Sequence, residues 1–237
     1  MTDLNRTIEA ELLSLGAERV GFGSLDELPD EERAGLPIGI SVMVAYPPEV
    51  IRSIAELPSQ QYCDWYDSLN ERLDMLVTRG AEMLRELGYQ AVAQTREHVG
   101  SGEEENSTIL PHKTVARLAG IGWIGRCALL ITKDHGSAVR LSSILTDAPL
   151  TPARPVTGSY CGTCQACRDA CPAGALHGKN WAPGVERDEL VDAVACRTVA
   201  RERAAQGFGG VGITICGKCI EVCPHTRRYL YSSPASS

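Results

Sequence analysis

Eight of the ten cysteines stand between residues 161 and 223, at spacings that could bind iron–sulfur clusters. The first run has the spacing C-x2-C-x2-C-x3-C-P and comprises Cys161, Cys164, Cys167, Cys171 and Pro172. This run is typical of proteins that hold two [4Fe–4S] clusters, because its first three thiolates bind one cluster and its fourth binds the other. The second run lacks its first cysteine and comprises Cys216, Cys219, Cys223 and Pro224. We expect Cys196, which lies upstream, to take the missing place.

The crossover of the fourth cysteine predicts how the eight thiolates are divided between two clusters. The first quartet is Cys161, Cys164, Cys167 and Cys223. The second quartet is Cys171, Cys196, Cys216 and Cys219. A pair of such clusters transfers single electrons, at potentials that charge, hydrogen bonds and exposure determine.

Structural zinc is the alternative for paired C-x2-C motifs, since two four-cysteine zinc sites would also use eight thiolates. Zinc does not require the third cysteine of the first run or the cysteine that precedes each proline. Of the two remaining cysteines, Cys63 stands beside Tyr62 and Trp65 in a predicted helix and Cys127 begins an apolar strand, and we expect both to be small packed residues without a chemical role.

The composition excludes several classes of protein. The chain has 237 residues, of which 43% are hydrophobic and 22% charged, as in an ordinary globular protein. Its formal net charge of −7 argues against a nucleic-acid partner, because binding to phosphates depends on Lys and Arg. No apolar run is long enough to span a membrane, and the first residues do not resemble a signal peptide. We therefore expect a cytoplasmic protein with reduced thiols.

The residues upstream of the cysteines predict an α+β body that is close to α/β in character. Predicted helices cover Ile8–Leu15, Tyr62–Leu87 and Thr114–Ala119. Predicted strands cover Arg19–Gly23, Ile40–Tyr46, Tyr89–Ala93, Cys127–Thr132 and Val139–Thr146. Prolines and a glycine in residues 147–160 indicate a linker. We therefore predict a cofactor- and substrate-binding body over residues 1–150 and a double-cluster domain over residues 151–237.

A glycine-rich turn follows the predicted helix Thr114–Ala119. Gly120, Gly122 and Gly125 have the spacing G-x-G-x-x-G, but they lead from a helix toward a strand, the reverse of the dinucleotide-binding order. Such a turn can cradle a phosphate, press against a planar ring or simply allow close packing. The spacing leaves these alternatives open.

Three features occur together and in one order: the segment AGIGWIG at residues 119–125, the strand-turn-strand segment at residues 128–149, and the split double-cluster motif. In this combination the chain resembles the epoxyqueuosine reductase family, which is similar to the reductive dehalogenases. The resemblance covers about residues 95–225. It implies a flavin-reductase-like or nitroreductase-like body that binds cobalamin in place of flavin, followed by a ferredoxin-like domain with two [4Fe–4S] clusters. It also implies that the cofactor is lined by Gly120, Gly122, Trp123, Gly125, Arg126, Arg140 and Asp147.

Two departures from the family affect the expected substrate. The chain ends at Ser237, without the helical-repeat extension that helps the tRNA-modifying members to hold tRNA. Asn106 stands where those members carry an acidic proton donor, and an amide cannot donate a proton as an acid does. Glu105, at the end of the run 103–105, and His112 are the nearby residues that could take this role. With the net charge, these departures argue against tRNA as the substrate.

Two functions therefore follow from the sequence. In the first, the clusters pass electrons to a cofactor, cobalamin by resemblance or otherwise flavin, which reduces an unidentified substrate. In the second, the protein is an electron-transfer or reactivating protein that reduces a partner such as a corrinoid protein. Reduced ferredoxin or flavodoxin is the expected electron donor in both.

Overall fold

The computed structural model describes residues 3–99 and 110–232 of the chain. The chain divides into two compact units, each of which combines separate stretches of sequence. The first unit comprises Met1–Val44, Leu69–Gly122 and Arg140–Val156. The second unit comprises Ala45–Ser68, Trp123–Val139 and Thr157–Ser237.

Short strands alternate with helices along the described residues. The helices are α1 (Asp3–Ser14), α2 (Pro48–Arg52), α3 (Gln60–Glu86), α4 (Arg96–Val99), α5 (His112–Leu118), α6 (Ala166–Asp169), α7 (Ala193–Phe208), α8 (Lys218–Glu221) and α9 (Pro224–Ser232). The strands are β1 (Arg19–Ser24), β2 (Ile38–Ala45), β3 (Ala91–Ala93), β4 (Trp123–Ile124), β5 (Leu130–Ile131) and β6 (Val139–Thr146). Arg187–Glu189 form one 3₁₀ turn.

The first unit is built on a four-stranded sheet with the order β1-β2-β6-β3. Strand β1 pairs antiparallel with β2, from Arg19 opposite Met43 to Ser24 opposite Ile38. Strand β3 pairs antiparallel with β6, with Ala91 opposite Thr146. Seven of the eight residues of β2 are buried, so its almost continuous apolar sequence corresponds to a strand covered on both faces.

Helices pack on this sheet where the strands carry small residues. A Cβ atom added to Gly23 of β1 would lie 2.7 Å from the backbone nitrogen of Ala119, at the end of α5. The glycine therefore allows α5 to approach the strand closely. A hydrophobic cluster continues this packing and contains Leu25, Leu36, Leu110, Val115, Leu118 and Leu145. Helix α1 contributes Ile8 and Leu12, which are fully buried one turn apart.

The second unit contains the short hairpin β4-β5 and the helices α2 and α6 to α9. Its core includes segments far upstream of the cysteine runs. Lys218 Nζ donates a hydrogen bond of 2.6 Å to the carbonyl oxygen of Ala55, and Tyr229 Oη donates one of 2.9 Å to that of Tyr46. Residues 60–68 of α3 belong to this unit, whereas the rest of α3 belongs to the first.

The structure confirms the predicted mixture of helix and sheet. Strands β1, β2, β3 and β6 and helices α1, α3 and α5 lie where the sequence predicts them. The predicted strand Cys127–Thr132 is shorter, since only Leu130 and Ile131 pair with β4. The nitroreductase-like detail stays a prediction.

The predicted division at residue 150 differs from the two compact units, because Ala45–Ser68 and Trp123–Val139 pack with the cysteine region. The ranges 1–150 and 151–237 therefore stay a prediction about folding domains, and a fragment experiment below tests it. Among the residues that the structure describes, no helix combines the length and apolar character that a membrane crossing requires.

Candidate metal centres

Each of the two cysteine runs contains a one-turn helix, and these helices, α6 and α8, pack against each other. Cys167 lies in α6 and Cys219 in α8. A turn before α6 is closed by a hydrogen bond of 3.0 Å from the Cys164 amide to the carbonyl oxygen of Cys161. After the second run, Pro224 begins α9, where its missing N–H is no loss because the first amides of a helix have no intrahelical partner. Tight local turns thus present several sulfurs to one small region.

The first cavity, of about 470 Å³, is lined by the whole first quartet. Its lining residues are Arg126, Cys127, Ile131, Cys161, Cys164, Cys167, Cys219, Cys223, Pro224 and His225. Cys223 is buried, whereas the other three members of the quartet are partly exposed. The structure therefore brings together the four residues that the crossover rule assigns to one cluster, although Cys161 and Cys223 are far apart in sequence.

The second cavity, of about 870 Å³, is lined by the whole second quartet. Those cysteines are Cys171, Cys196, Cys216 and Cys219. Apolar side chains complete the wall, among them Val199, Ile215 and Ile220. Cys196 is exposed, so this cavity reaches the surface at helix α7. The position of Cys196 supports the prediction that it replaces the missing first cysteine of the second run.

The spread of the sulfurs fits clusters better than single ions. Among residues 3–99 and 110–232, no group of three or more His, Cys, Asp or Glu side chains is arranged to hold one metal ion. A tetrahedral zinc with Zn–S bonds of about 2.3 Å would draw its four sulfurs to within about 4 Å of one another. No such grouping around one ion is found among the described residues, and each quartet lines the wall of a cavity.

Three thiols of the two quartets have a raised pKa. An interaction with Cys127, reinforced by burial, raises the pKa of Cys167, and burial raises the pKa of Cys196 and Cys223. Ligand thiols must lose their protons to bind iron. We therefore expect cluster assembly to release protons, with the positive charge of the iron stabilising the thiolates.

Cys127 has a position that the sequence did not reveal. It is 6% exposed, and it lines both cavities. An interaction with Cys167 lowers the pKa of the Cys127 thiol, but an interaction with Cys219 and burial outweigh it, so that the pKa lies well above its ordinary value. The prediction that Cys127 is only a packed residue is therefore incomplete. Its place beside both quartets depends on the three-dimensional fold, and nothing in the sequence around Cys127 indicates it.

Arg126 lies in the wall of the first cavity and holds the backbone around it. Its guanidinium donates a hydrogen bond of 2.5 Å to the carbonyl oxygen of Gly162 and another hydrogen bond to that of Gly178. The side chain is buried, and its Nε atom has no hydrogen-bond partner. The resemblance implied that Arg126 lines an organic cofactor, and the structure places it at the cysteine cavity.

Trp123 and Gly125 also pack within the second unit. The Trp123 ring is buried, and it meets the rings of Tyr160 and His225 edge-on at centroid distances of 5.2 and 4.9 Å. A Cβ atom added to Gly125 would lie 2.3 Å from Cδ1 of Ile131 and 3.5 Å from Sγ of Cys161. At Gly125 the packing alternative for the glycine turn therefore has direct support.

The remaining residues predicted to line the cofactor lie in the first unit, and their polar groups are engaged there. Arg140 donates two hydrogen bonds to Oδ1 of Asn70, at 3.0 and 2.9 Å. Asp147 accepts hydrogen bonds from the amide nitrogen and Nε2 of Gln90, at 2.8 and 3.1 Å.

Gly120 and Gly122, the two remaining glycines predicted to line the cofactor, have close neighbours in the structure. Gly122 is buried. A Cβ atom added to Gly120 would approach the carbonyl oxygen of Arg154 to 3.0 Å. Arg140 and Asp147 are paired with Asn70 and Gln90 in the structure, and the assignment of these residues to a corrinoid site stays a prediction.

Of the predicted proton donors, only His112 lies among the described residues. Glu105 and Asn106 fall outside them. His112 Nδ1 is in hydrogen-bond contact with Oγ of Ser143 at 2.9 Å. Burial, with a further contribution from the charge of Arg140, lowers the pKa of His112 to about 4. His112 is therefore a neutral imidazole at neutral pH, which disfavours it as an imidazolium acid.

Comparison with known proteins identifies the cysteine region. Residues 160–226 match the family model described as a 4Fe-4S double cluster binding domain. An epoxyqueuosine reductase from Listeria monocytogenes is 35% identical over 116 residues, which are 49% of this chain and 27% of that protein. The one from Bacillus subtilis is 29% identical over 176 residues, 67% of this chain and 42% of that protein. This chain is a relative of the epoxyqueuosine reductases. It holds two [4Fe–4S] clusters, as the sequence predicts.

Solved structures show the same fold. An epoxyqueuosine reductase with a tRNA-Tyr epoxyqueuosine-modified stem loop aligns over 94% of this chain and 65% of that one, with a TM-score of 0.62 and 20% identity. The catabolic reductive dehalogenase NpRdhA aligns over 93% of this chain and 31% of that one, with a TM-score of 0.68 and 20% identity. The chain spans less than half the length of the two curated epoxyqueuosine reductases above. The expectation that a nucleic-acid partner is unlikely is weakly contradicted, because the curated relatives are epoxyqueuosine reductases and one of the solved ones is seen with a tRNA stem loop.

Proposed function

We propose that the chain is an iron–sulfur oxidoreductase in which two adjacent clusters relay single electrons to an acceptor. The observation that carries this proposal is the pair of cavities, each lined by one complete cysteine quartet and both sharing Cys127 and Cys219. When bound, the clusters supply one-electron transfer at a potential that their surroundings determine.

The residues of the second unit have distinct parts in this function. The two quartets hold the clusters. Arg126 fixes the loop after Cys161 through the carbonyl oxygens of Gly162 and Gly178, and it brings a positive charge to the first cavity. Ile131 and the ring of His225, which packs edge-on against the buried Trp123, line the same cavity.

Electrons enter, in this proposal, at the second cluster, because Cys196 is the exposed member of its quartet. Residues 157–237 carry nine Lys and Arg and seven Asp and Glu, whereas the whole chain has a net charge of −7. This local excess of positive charge favours an acidic donor such as reduced ferredoxin or flavodoxin. A cytoplasmic location is part of the same proposal.

The acceptor is the point that separates the two candidate functions. The relatives' name makes an epoxyqueuosine-modified RNA stem loop the first substrate to test, with cobalamin or flavin as the intermediate carrier. The pairing of Arg140 with Asn70 and of Asp147 with Gln90 favours the second function, in which a partner such as a corrinoid protein accepts the electrons.

The test begins with anaerobic purification, iron and zinc analysis and a reductive titration. We expect about eight iron atoms per chain and two one-electron transitions. The Cys219→Ala variant is expected to lose about half of the iron, and Cys63→Ala is the matched control because Cys63 is buried and lines neither cavity. A colourless protein that contains zinc would contradict the proposal.

The acceptor is then identified with the loaded protein. Cobalamin or flavin is added, with or without the RNA stem loop, and the spectrum of the carrier is followed during reduction. Turnover of the stem loop supports the reductase. Reduction of a separate corrinoid protein, without turnover of the stem loop, supports the electron-transfer function.

A further inference from the structure

The wall of the first cavity carries a positive charge that no carboxylate there balances. Arg126 is 9% exposed, and its two terminal nitrogens donate to the carbonyl oxygens of Gly162 and Gly178. Both acceptors are neutral, and no Asp or Glu stands among the described residues that line this cavity. Because a guanidinium stays protonated in proteins, Arg126 presents a buried cation to the four cysteines of the first quartet.

The cation in the wall of the second cavity is compensated. Of the described residues that line this cavity, Lys218 alone is a Lys or Arg. Its Nζ atom lies 2.8 Å from Oε2 of Glu221 and donates a hydrogen bond of 2.6 Å to the carbonyl oxygen of Ala55. Arg227 contacts the same carboxylate from outside the cavity, where its side chain is 51% exposed and water screens its charge. The two cavities therefore differ in electrostatics before any cluster is bound.

Arg126 also keeps one donor without an acceptor. Its Nε atom is buried and has no hydrogen-bond partner. Leaving a buried donor unpaired is costly, so a partner is expected in the loaded protein, and the sulfurs of the first cluster are acceptors of the right kind. Among the described residues that line the second cavity, no buried side-chain nitrogen or oxygen lacks a partner in this way.

We infer that Arg126 makes the first cluster the more easily reduced of the two, through its uncompensated charge and through a hydrogen bond from its Nε–H to a sulfur of that cluster. This inference rests on the proposed function, because it requires both clusters. One electron, supplied by the ferredoxin or flavodoxin donor, then leaves the reduced second cluster and reduces the first. The second cluster returns to its oxidised form, no bond or proton is exchanged, and the first cluster delivers the electron to the acceptor.

The direction of the effect follows from charge. A cluster held by four thiolates is an anion, and reduction adds one more negative charge to it. A buried cation and a hydrogen bond to sulfur both stabilise the reduced form more than the oxidised form, so both raise the potential. Burial of Arg126 keeps water from screening this interaction.

The experiment measures the midpoint potentials of both clusters in the full chain, purified without oxygen. Each protein is titrated with a reductant and followed by electron paramagnetic resonance, and its iron is counted. The second cluster is recognised as the signal that Cys196→Ala removes. Arg126→Met removes the charge and the donor, whereas Arg126→Lys keeps the charge and removes the Nε–H.

Arg203→Met is the matched control within the same unit. The guanidinium of Arg203 also donates to a backbone carbonyl oxygen, that of Glu56, and its Nε atom is also buried without a partner. Arg203 lines neither cavity. The control therefore removes a similar side chain without removing charge from a cluster site.

In the wild type, we expect the first cluster to have the higher potential. Arg126→Met is expected to decrease its reduced-to-oxidised ratio at least tenfold at a fixed solution potential, which is a fall of about 59 mV for one electron. Arg126→Lys is expected to give a smaller fall, because the charge remains. Arg203→Met is expected to leave both potentials unchanged.

A higher potential for the second cluster in the wild type would overturn the inference without any variant of Arg126. An unchanged first potential in Arg126→Met, or an equal fall in Arg203→Met, would overturn it as well. If Arg126→Met loses iron, Arg126→Lys takes its place, and an unchanged first potential there would refute the hydrogen bond. Failure of the proposed function is distinguishable, because the wild-type protein would then lack two titratable clusters.

Discussion

The guanidinium of Arg126 lies 2.5 Å from the carbonyl oxygen of Gly162, the residue that follows the predicted ligand Cys161. The same guanidinium donates to the carbonyl oxygen of Gly178, so one side chain joins the start of the cysteine run to the segment that follows it. The planar guanidinium can satisfy two acceptors in fixed directions, whereas the ammonium of lysine is a single flexible centre.

We therefore predict that Arg126→Lys weakens the first cluster site. Loss of one buried hydrogen bond costs about 1–3 kcal/mol, which is about 5–150-fold in retention of the cluster against a chelator. The rate of iron release is measured with an iron chelator under anaerobic conditions. Arg140→Lys is the control, because Arg140 is bound to Asn70 in the first unit and lines neither cavity. Equal release rates in Arg126→Lys and the wild type would contradict this role.

Gly217 stands between the ligands Cys216 and Cys219, with a φ of +74°. A Cβ atom there would lie 2.3 Å from Cδ1 of Ile54 and 3.2 Å from the ring of Tyr62. We predict that Gly217→Ala removes the second cluster, because the left-handed backbone costs about 1–2 kcal/mol and the collision displaces the ligand loop as well. Iron content is expected to fall from about eight to about four per chain.

Gly184→Ala is the matched control for this change. Gly184 has a φ of +84°, but a Cβ atom there would meet nothing within 4 Å. It shares the backbone strain without the collision, and we expect it to lose about 1–2 kcal/mol of stability while retaining both clusters. Loss of iron in both variants would show that strain alone explains the effect.

The buried His112 predicts a pH dependence of stability. Its folded pKa of about 4 lies below the unfolded value of about 6.5, so the unfolded chain binds the proton first as the pH falls. The contribution of His112 to stability is therefore complete above about pH 6.5 and falls by about 3 kcal/mol as the pH drops toward 4.

The His112→Asn variant is expected to lose this component of the pH dependence, since asparagine can still bond to Ser143 but does not titrate. Thermal unfolding midpoints of the two proteins are measured from about pH 7.5 down to about pH 4.5. At the highest pH, the difference between the two unfolding midpoints measures the packing lost in the variant. The change in that difference toward low pH measures the contribution from protonation of His112. A constant difference over the whole range would refute the lowered pKa.

The fragment 151–237 tests the predicted domain boundary. It contains all eight ligand cysteines but lacks Ala55 and Tyr46, whose carbonyl oxygens accept hydrogen bonds from Lys218 and Tyr229. We predict that the isolated fragment binds fewer than half of the iron atoms of the full chain. Mixing it with the fragment 1–150 is expected to raise the iron content, and a fragment that holds two clusters alone would support the linear boundary.

The sequence predicted those parts of the fold that depend on local periodicity. Strand β2 could be predicted because it is an almost continuous apolar run, and helix α3 because its apolar residues repeat at the spacing of an amphipathic helix. Helix α7 was missed because it is rich in alanine and arginine, and the only residues that it buries are Ala200 and Ala204. Spacing therefore revealed helices and strands only where an apolar pattern was present.

The candidate site likewise has a part that local sequence spacing predicts and a part that it does not. Thiolate spacing places the cysteines in quartets, because cluster geometry constrains residues that are close in sequence. The position of Cys127 between the quartets depends on how a distant hairpin packs, which no local pattern encodes. The same holds for Arg126. Neither its residue type nor its neighbours in sequence indicate that it donates hydrogen bonds to the carbonyl oxygens of Gly162 and Gly178.

The interlocked quartets constrain how the protein is made. The first quartet needs Cys223, near the end of the chain, and the second combines Cys171 with Cys216 and Cys219. A nascent chain therefore offers an incomplete second set until Cys219 has emerged from the ribosome and an incomplete first set until Cys223 has emerged. Iron for the first quartet cannot be bound as soon as its own cysteine run is made, and a product truncated before Cys219 could complete neither quartet.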